Sequence, residues 1–304
     1  MPLVSVVIPC YNVEGYLDDC LESVFKQVYT NLEVICIDNN STDKTWLKLN
    51  HWKDRNPDII IDRELKKGAC AARNKGISLA DGEYFQFLDA DDLLLRNKIE
   101  VQVTLLDERE DFPFVSGASK YKGIDGSIVE VSPEQENIFH SLFIGKLGNT
   151  CSNLWNAAKL KEIGGWSEDL YSSQETDLMF RLLVKYPNVV FDDEFNTIIQ
   201  ERSFGQITKQ SNMEGNFIRY LDLRLRIIDF MEKENVNVEK YYQLLFPKVR
   251  EFYLYNKDFS IKYIKTKFPK KFLPSTQFGN SKIYCLLFKI LGFSGAEKIK
   301  SGLK

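Results

Sequence analysis

Asp89, Asp91 and Asp92 crowd into four consecutive positions immediately after the apolar run Tyr84–Leu88. In an extended segment residues two apart point the same way, so Asp89 and Asp91 would face one site. Carboxylates this close repel each other, and a bound cation relieves that cost. Hard oxygen ligands with open positions suit Mg²⁺ or Mn²⁺ held jointly with phosphates. The competing reading is helix capping: Leu93–Glu100 follows, and acidic residues favour a helix N-terminus, a role that would suit Asp92. His51 and His140 are the two histidines of the chain, too few for a multi-histidine metal centre and poor material for a Ser-His-Asp triad.

The elements that must position these carboxylates alternate between strand and helix. The β-branched run 4–9 reads as a strand covered on both faces. Leu17, Cys20, Leu21, Val24, Phe25 and Val28 then recur at three and four residues and mark an amphipathic helix. A second buried strand is expected over 32–38, broken by Asn39-Asn40-Ser41-Thr42-Asp43. A helix over about 43–53, a strand over 58–62, a helix over about 69–80 and a strand over 84–89 follow. Such repetition implies an α/β fold with a Rossmann-like, doubly wound, mostly parallel sheet, which binds ligands beyond the carboxyl ends of its strands. Asn12, Asp38 and Asp89 each fall at such an end.

Beyond Leu93 the pattern predicts a helix over about 93–108, strands near 112–122 and 127–131, and a helix near 135–144. A strand near 150–155, a helix near 174–186 and strands near 188–193 and 197–201 complete this body. From about 214 the reading turns helical. We therefore expect one body over 1–210 and a helical, basic extension over 211–304.

The 304-residue chain carries a net charge of only −3, which argues against nucleic acid as a partner. That charge is unevenly placed. From Lys257 onward eleven lysines face only Asp258 and Glu297, a net +9, which leaves −12 on the preceding 256 residues. The stretch 267–293 interleaves lysines with large apolar side chains, the pattern of a segment lying on an anionic membrane surface. The alternative is a helical appendage with its lysines in water. The longest apolar run, near 283–293, is too short to span a bilayer. Six scattered cysteines without a C-x-x-C pair read as reduced thiols, and the N-terminus lacks a positively charged leader. The expectation is a cytoplasmic chain, peripheral on the inner face of the cell membrane.

VSVVIPCYN (4–12), ICIDNNSTD (35–43), GACAARNKGISLADGEYFQFLDADD (68–92) and ETDLMFRL (175–182), in this order, resemble the family-2 glycosyltransferases of the A-type fold. The similarity covers about residues 3–210. It implies an inverting, metal-dependent bacterial enzyme using a nucleotide sugar, with a uridine nucleotide favoured. By this resemblance Pro9, Tyr11 and Asn12 cradle the nucleobase and Asp38 accepts a base N–H. Arg73 lies near base and diphosphate. Asp91 coordinates the metal, Asp89 contacts ribose or a metal-bound water, and Ala90 lies between them against the donor. Arg202 and the segment Gly205-Gln206-Ile207-Thr208 close over the diphosphate. Many relatives place a histidine there, where this chain has Phe204.

The general base is expected at Glu175, since the family commonly shows Glu-Asp before an arginine and this chain has Gln174-Glu175 ahead of Arg181. Asp177 is the rival base. Ser172-Ser173-Gln174-Glu175 also fits a capping box, in which Glu175 would bond the Ser172 backbone. Trp155 and Trp166 are candidates for stacking on a sugar face or for the core. No Q-x-x-R-W signature of processive synthases is present, so single-sugar addition is expected. The acceptor would be a saccharide or a lipid-linked saccharide in surface polysaccharide synthesis, receiving a hexose or N-acetylhexosamine. A nucleotidyltransferase is disfavoured because Cys10-Tyr11-Asn12-Val13-Glu14 stands where a glycine-rich basic loop would be. A non-catalytic nucleotide-sugar-binding protein is the remaining alternative.

Overall fold

The structure is a computed structural model that describes every residue except 108, 110, 203–212, 303 and 304. The chain divides into two compact units, Met1–Gln210 and Ser211–Lys304.

The first unit is built on a seven-stranded sheet. Its strands are β1 (Val4–Cys10), β2 (Leu32–Asp38), β3 (Ile60–Arg63), β4 (Tyr84–Phe87), β6 (Phe114–Gly117), β9 (Leu154–Asn156) and β10 (Val190–Asp192). They lie in the order β10-β6-β9-β4-β1-β2-β3. All neighbours pair in parallel except β9, which runs antiparallel to both β4 and β6. The alternation of β1 explains the layers. Val4, Val6, Ile8 and Cys10 pack with helices α1 (Leu17–Phe25), α2 (Thr45–Arg55) and α4 (Lys98–Leu106) in one apolar cluster. Val7 faces the other way, toward α3 (Ala69–Leu79). A Cβ on Gly76 would stand 2.3 Å from Val7 Cγ1, so α3 sits against the sheet more closely than any side chain at that position would permit.

A second sheet of four strands was not expected. It comprises β5 (Leu93–Leu94), β7 (Ser119–Lys122), β8 (Ile128–Val131) and β11 (Thr197–Gln200), in the order β5-β11-β7-β8. The helix expected from about 93 starts only at Lys98, after Asn97, because Leu93 and Leu94 pair with Ile198 and Thr197 instead. Asp92 therefore caps no helix. Helices α5 (Ile138–Ile144), α6 (Ala157–Glu162) and α7 (Gln174–Lys185) complete the unit. Trp155 is fully buried among Phe87, Phe114 and Trp166, which removes it as a sugar-stacking surface. Trp166 is buried as well.

The second unit consists of helices α8 (Met213–Lys233), α9 (Glu239–Tyr253), α10 (Lys257–Lys267) and α11 (Lys282–Gly302). Its core is an aromatic cluster in which Phe246 meets Phe268, Phe272, Tyr284, Phe288 and Phe293. Arg250 Nε donates to Glu297 Oε1 at 2.6 Å, the Tyr284 hydroxyl donates to the same oxygen at 2.6 Å, and the guanidinium lies 3.8 Å from the Tyr284 ring centroid.

Candidate active site

The loops that follow β1, β2 and β3 are stitched into one wall. Asn12 has a left-handed backbone (φ 49°), a conformation asparagine tolerates better than most residues. Its Oδ1 accepts from the Thr42 N–H at 2.8 Å, while its own N–H donates to Ser41 Oγ at 3.1 Å. Glu14 N–H donates to Asp43, and Lys44 N–H donates back to Glu14. Asn39 then ties the second loop to the third: Nδ2 donates to the Glu64 and Lys66 carbonyls, and Oδ1 accepts from Gly68 N–H. Each asparagine side chain here does what a strand would do elsewhere, satisfying backbone groups that a loop leaves open.

Pro9 is the penultimate residue of β1, and Tyr11 stands half exposed just past the strand. Asp38 ends β2 and is buried. Its Oδ1 accepts from Ser41 N–H at 3.3 Å, and Arg63 Nε lies 3.5 Å from Oδ2. The base-reading carboxylate proposed from the sequence is thus held in place by its own loop and by the neighbouring strand.

β4 adjoins β1 on the side opposite β2, so Asp89 and Asp38 emerge at the same end of the sheet on either side of β1. Asp89 Oδ1 accepts from Arg73 Nη2 at 2.7 Å. Arg73 is buried, its guanidinium lies 4.6 Å from the Trp166 ring centroid, and its Nη1 donates to Gln174 Oε1 at 3.2 Å. Burial works against the charge of Arg73, but Asp89 beside it outweighs that cost and its pKa is raised. Trp166 therefore serves the site from the core, as the plate on which Arg73 rests.

Asp91 pairs with Arg202, whose guanidinium also lies 5.0 Å from the Tyr16 ring centroid. The predicted site residues Asp91 and Arg202 are thereby in direct contact; Phe204 and Gly205–Thr208 lie outside the described residues. Burial raises the pKa of Asp91, an effect that Arg202 opposes and Asp89 reinforces. Asp92 points inward: Oδ1 accepts from Gln200 N–H at 2.9 Å, and Oδ2 accepts from the Cys151 thiol at 3.3 Å. Burial, with Asp91 and Asp89 nearby, pushes its pKa well up.

Two acidic sets could receive a cation. Asp89, Asp92 and Cys151 hold ligand atoms within 4.8 Å of one another. Burial pushes the Cys151 thiol well up, so it stays protonated, and it is already shared with Asp92 and the Asp89 N–H. A neutral thiol is a poor ligand for a hard cation. Asp89 and Asp91 keep 39% and 16% of their side-chain surface in water and offer only oxygens, which fits Mg²⁺ or Mn²⁺ better.

Glu175 lies in the first turn of α7, half exposed and without an ion pair among the described residues. Ser173 is the N-cap of this helix, in a left-handed conformation (φ 57°) and with no side-chain cap bond. Asp177 is buried two residues on, accepting from Arg181 Nε at 2.8 Å and from Ser167 Oγ at 2.7 Å, while Arg181 also donates to the Ile163 and Gly165 carbonyls. Those bonds give Asp177 a structural task and leave Glu175 as the available carboxylate.

Two contributors escaped the sequence reading. Gln174 links Arg73 to the helix that bears Glu175, and its only signal was adjacency to that residue. Cys151 anchors both Asp89 and Asp92 from sixty residues away, and nothing in its surrounding sequence announces it.

Residues 5–157 match the sequence profile of glycosyl transferase family 2, just over half of the chain. The chain is 32% identical over 154 residues to glycosyltransferase GlyG of Streptococcus pneumoniae, covering 50% of this chain and 51% of that protein. It is 36% identical over 104 residues to the Escherichia coli UDP-Glc:alpha-D-GlcNAc-diphosphoundecaprenol beta-1,3-glucosyltransferase WfgD, covering 34% and 41% respectively. The matches thus span about half the length of these curated relatives. Among solved structures, S. aureus TarS 1–349 in complex with UDP-GlcNAc superposes with a TM-score of 0.62 at 19% identity, covering 88% of this chain and 77% of that one. Profile, relatives and architecture agree: the chain belongs to glycosyl transferase family 2 and has the A-type fold.

Proposed function

We propose that this protein is an inverting, metal-dependent glycosyltransferase that moves one hexosyl or N-acetylhexosaminyl group from a UDP-sugar to an acceptor hydroxyl. The acceptor is a saccharide or lipid-linked saccharide of bacterial surface polysaccharide synthesis. The observation that carries this reading is a convergence at the carboxyl ends of β1, β2 and β4. There the stitched loop wall, the Arg73–Asp89 pair, Asp91 and Glu175 meet the needs of a nucleotide sugar. The relative WfgD uses UDP-glucose and a diphosphoundecaprenol-linked acceptor, and TarS was solved with UDP-GlcNAc, which favours a uridine nucleotide.

In this mechanism Pro9, Tyr11, Asn12 and Asp38 hold the nucleobase, and Asp89, Ala90 and Arg73 hold the sugar-phosphate side. Asp91 and Asp89 would hold Mg²⁺ or Mn²⁺, which supplies Lewis-acid neutralisation of the departing nucleoside diphosphate. Arg202 brings a further positive charge to the same place. Glu175 takes the proton from the acceptor hydroxyl as its oxygen forms a bond to the anomeric carbon. The bond from that carbon to the diphosphate oxygen breaks on the opposite face, so the configuration inverts.

The test is thermal stabilisation by UDP, GDP, dTDP and CMP, each with and without Mn²⁺. A ligand that binds only the folded chain raises its melting temperature by mass action. We expect metal-dependent stabilisation by UDP above the others. No response to any nucleotide in the presence of metal would sink the catalytic reading and leave a binding protein without a donor site.

A further inference from the structure

We propose that the outward face of the helical stretch Lys282–Leu291 is a docking surface for an anionic phospholipid bilayer. This deepens the lipid-linked acceptor reading above and rests on it only for its purpose, since lipid binding is scored without turnover.

The stretch is one helical segment of α11, ended by Gly292, whose φ of 67° and ψ of −178° are non-helical. Its inward face is settled by Tyr284 and Phe288, which pack on Phe246 with ring centroids 6.2 and 5.6 Å apart. The opposite face should be polar if it met only water. It is aliphatic instead. Ile283, Leu286 and Ile290, spaced three and four residues apart, are 71%, 58% and 67% exposed, and Leu291 beside them is 49% exposed. Lys282 and Lys289, seven residues apart, are exposed along one flank of this stripe. Such side chains lay their stems along apolar matter and keep the ammonium in the headgroup layer.

Charge selects the partner. The segment from Lys257 carries +9, and of its two acids Glu297 is turned inward onto Arg250 and Tyr284. A second copy docking through the same stripe would set lysine against lysine across a two-fold axis. An anionic bilayer both buries the aliphatic side chains and neutralises the lysines. No helix among the described residues is long and apolar enough to cross a membrane, so the stripe lies on the bilayer and does not enter it end-on.

The experiment is co-sedimentation of the full chain with vesicles of phosphatidylcholine alone, or mixed with phosphatidylglycerol. We expect binding only to the anionic vesicles, weakening as salt is raised. I283E/L286E/I290E should lower the partition coefficient at least roughly tenfold, because three apolar anchors are lost and three like charges gained. Its melting temperature should not move, since these side chains already stand in water. K282E/K289E should weaken binding less and flatten its salt dependence. Three results overturn the proposal: no binding of the wild-type chain to anionic vesicles; equal binding of the triple variant; or a dimer-to-monomer shift in the triple variant with lipid binding unchanged, which would assign the face to a second copy. Turnover with a water-soluble acceptor, measured in parallel, reports on the catalytic reading alone.

Discussion

The two units bury polar groups for different purposes. In Ser211–Lys304 the aromatic cluster around Phe246 carries a compact lock, Arg250 with Glu297, Asn280 and Tyr284, which joins helix to helix. In Met1–Gln210 the polar groups of the site gather at the carboxyl ends of the central strands and include carboxylates held close together. Burial raises the proton affinity of Asp91 and Asp92, the charge of Asp89 adds to it in both, and Cys151, Gln200, Arg73 and Arg202 are arranged around the three. Burying like charges side by side costs stability and is tolerated where a ligand is to be met. A polar group that a core merely accommodates meets partners that satisfy it; a polar group that a site employs sits also among neighbours that oppose it.

That contrast can be broken experimentally. The largest effect is expected at Asp91. Asp91→Asn should lower turnover on the order of a thousandfold or more, the several kcal/mol of a lost metal ligand. Its melting temperature should stay level or rise, because a repelling carboxylate is gone; an unfolded variant would place Asp91 with the structural residues. The opposite pattern is expected in the second unit. Arg250→Met leaves Glu297 buried without its cation and should destabilise the protein by about 3 kcal/mol. Calorimetry checks this, and UDP-dependent stabilisation should survive in the variant.

Smaller effects sharpen the account. Arg73→Lys keeps the charge but cannot bridge Asp89 and Gln174 from one plane. We expect kcat to fall roughly ten- to a hundredfold and the donor KM to rise with it, since Arg73 both holds the sugar-phosphate side and, through Gln174, places α7 with its Glu175. Steady-state kinetics separate the two constants. Smallest is a pH effect at Lys98, which is fully buried, donates to Gln86 Oε1, and has its pKa pushed down to about 7 by burial. The unfolded chain holds this proton more tightly than the folded one. Its contribution therefore disfavours folding below about pH 7 and fades as pH rises above that value. Stability should climb from about pH 7 until cysteines and tyrosines of the unfolded chain begin to ionise. Lys98→Met should flatten that slope in urea melts taken across the range.

The legible parts of the molecule were those with local causes. The buried β-branched runs of β1 and β2 stand within a residue of their expected ends, and Asn39-Asn40-Ser41-Thr42-Asp43 turned out to be the loop it looked like. What could not be read depended on partners far along the chain. Leu93-Leu94-Leu95 carries as much helical as extended character, and only Ile198 and Thr197, a hundred residues on, decide it. Trp155 read equally as a sugar-stacking face or as core, and only Phe87 and Phe114, which enclose it, decide for the core. The carboxylates Asp89 and Asp91 were visible from spacing, whereas the cations that hold them, Arg73 and Arg202, were assignable only through the family resemblance.

Gly76 carries a consequence for how the site can change. Arg73 stands three residues earlier on the same helix, so the reach of its guanidinium toward Asp89 is a tolerance set from behind, by a methyl group that is missing opposite Val7. A side chain at position 76 would lift the helix and miscalibrate the arginine without touching any polar atom. Positions 7 and 76 thus act as a shim: volume added at one must be removed at the other, and such a matched exchange offers a way to retune phosphate-side geometry while every residue that meets the donor stays as it is.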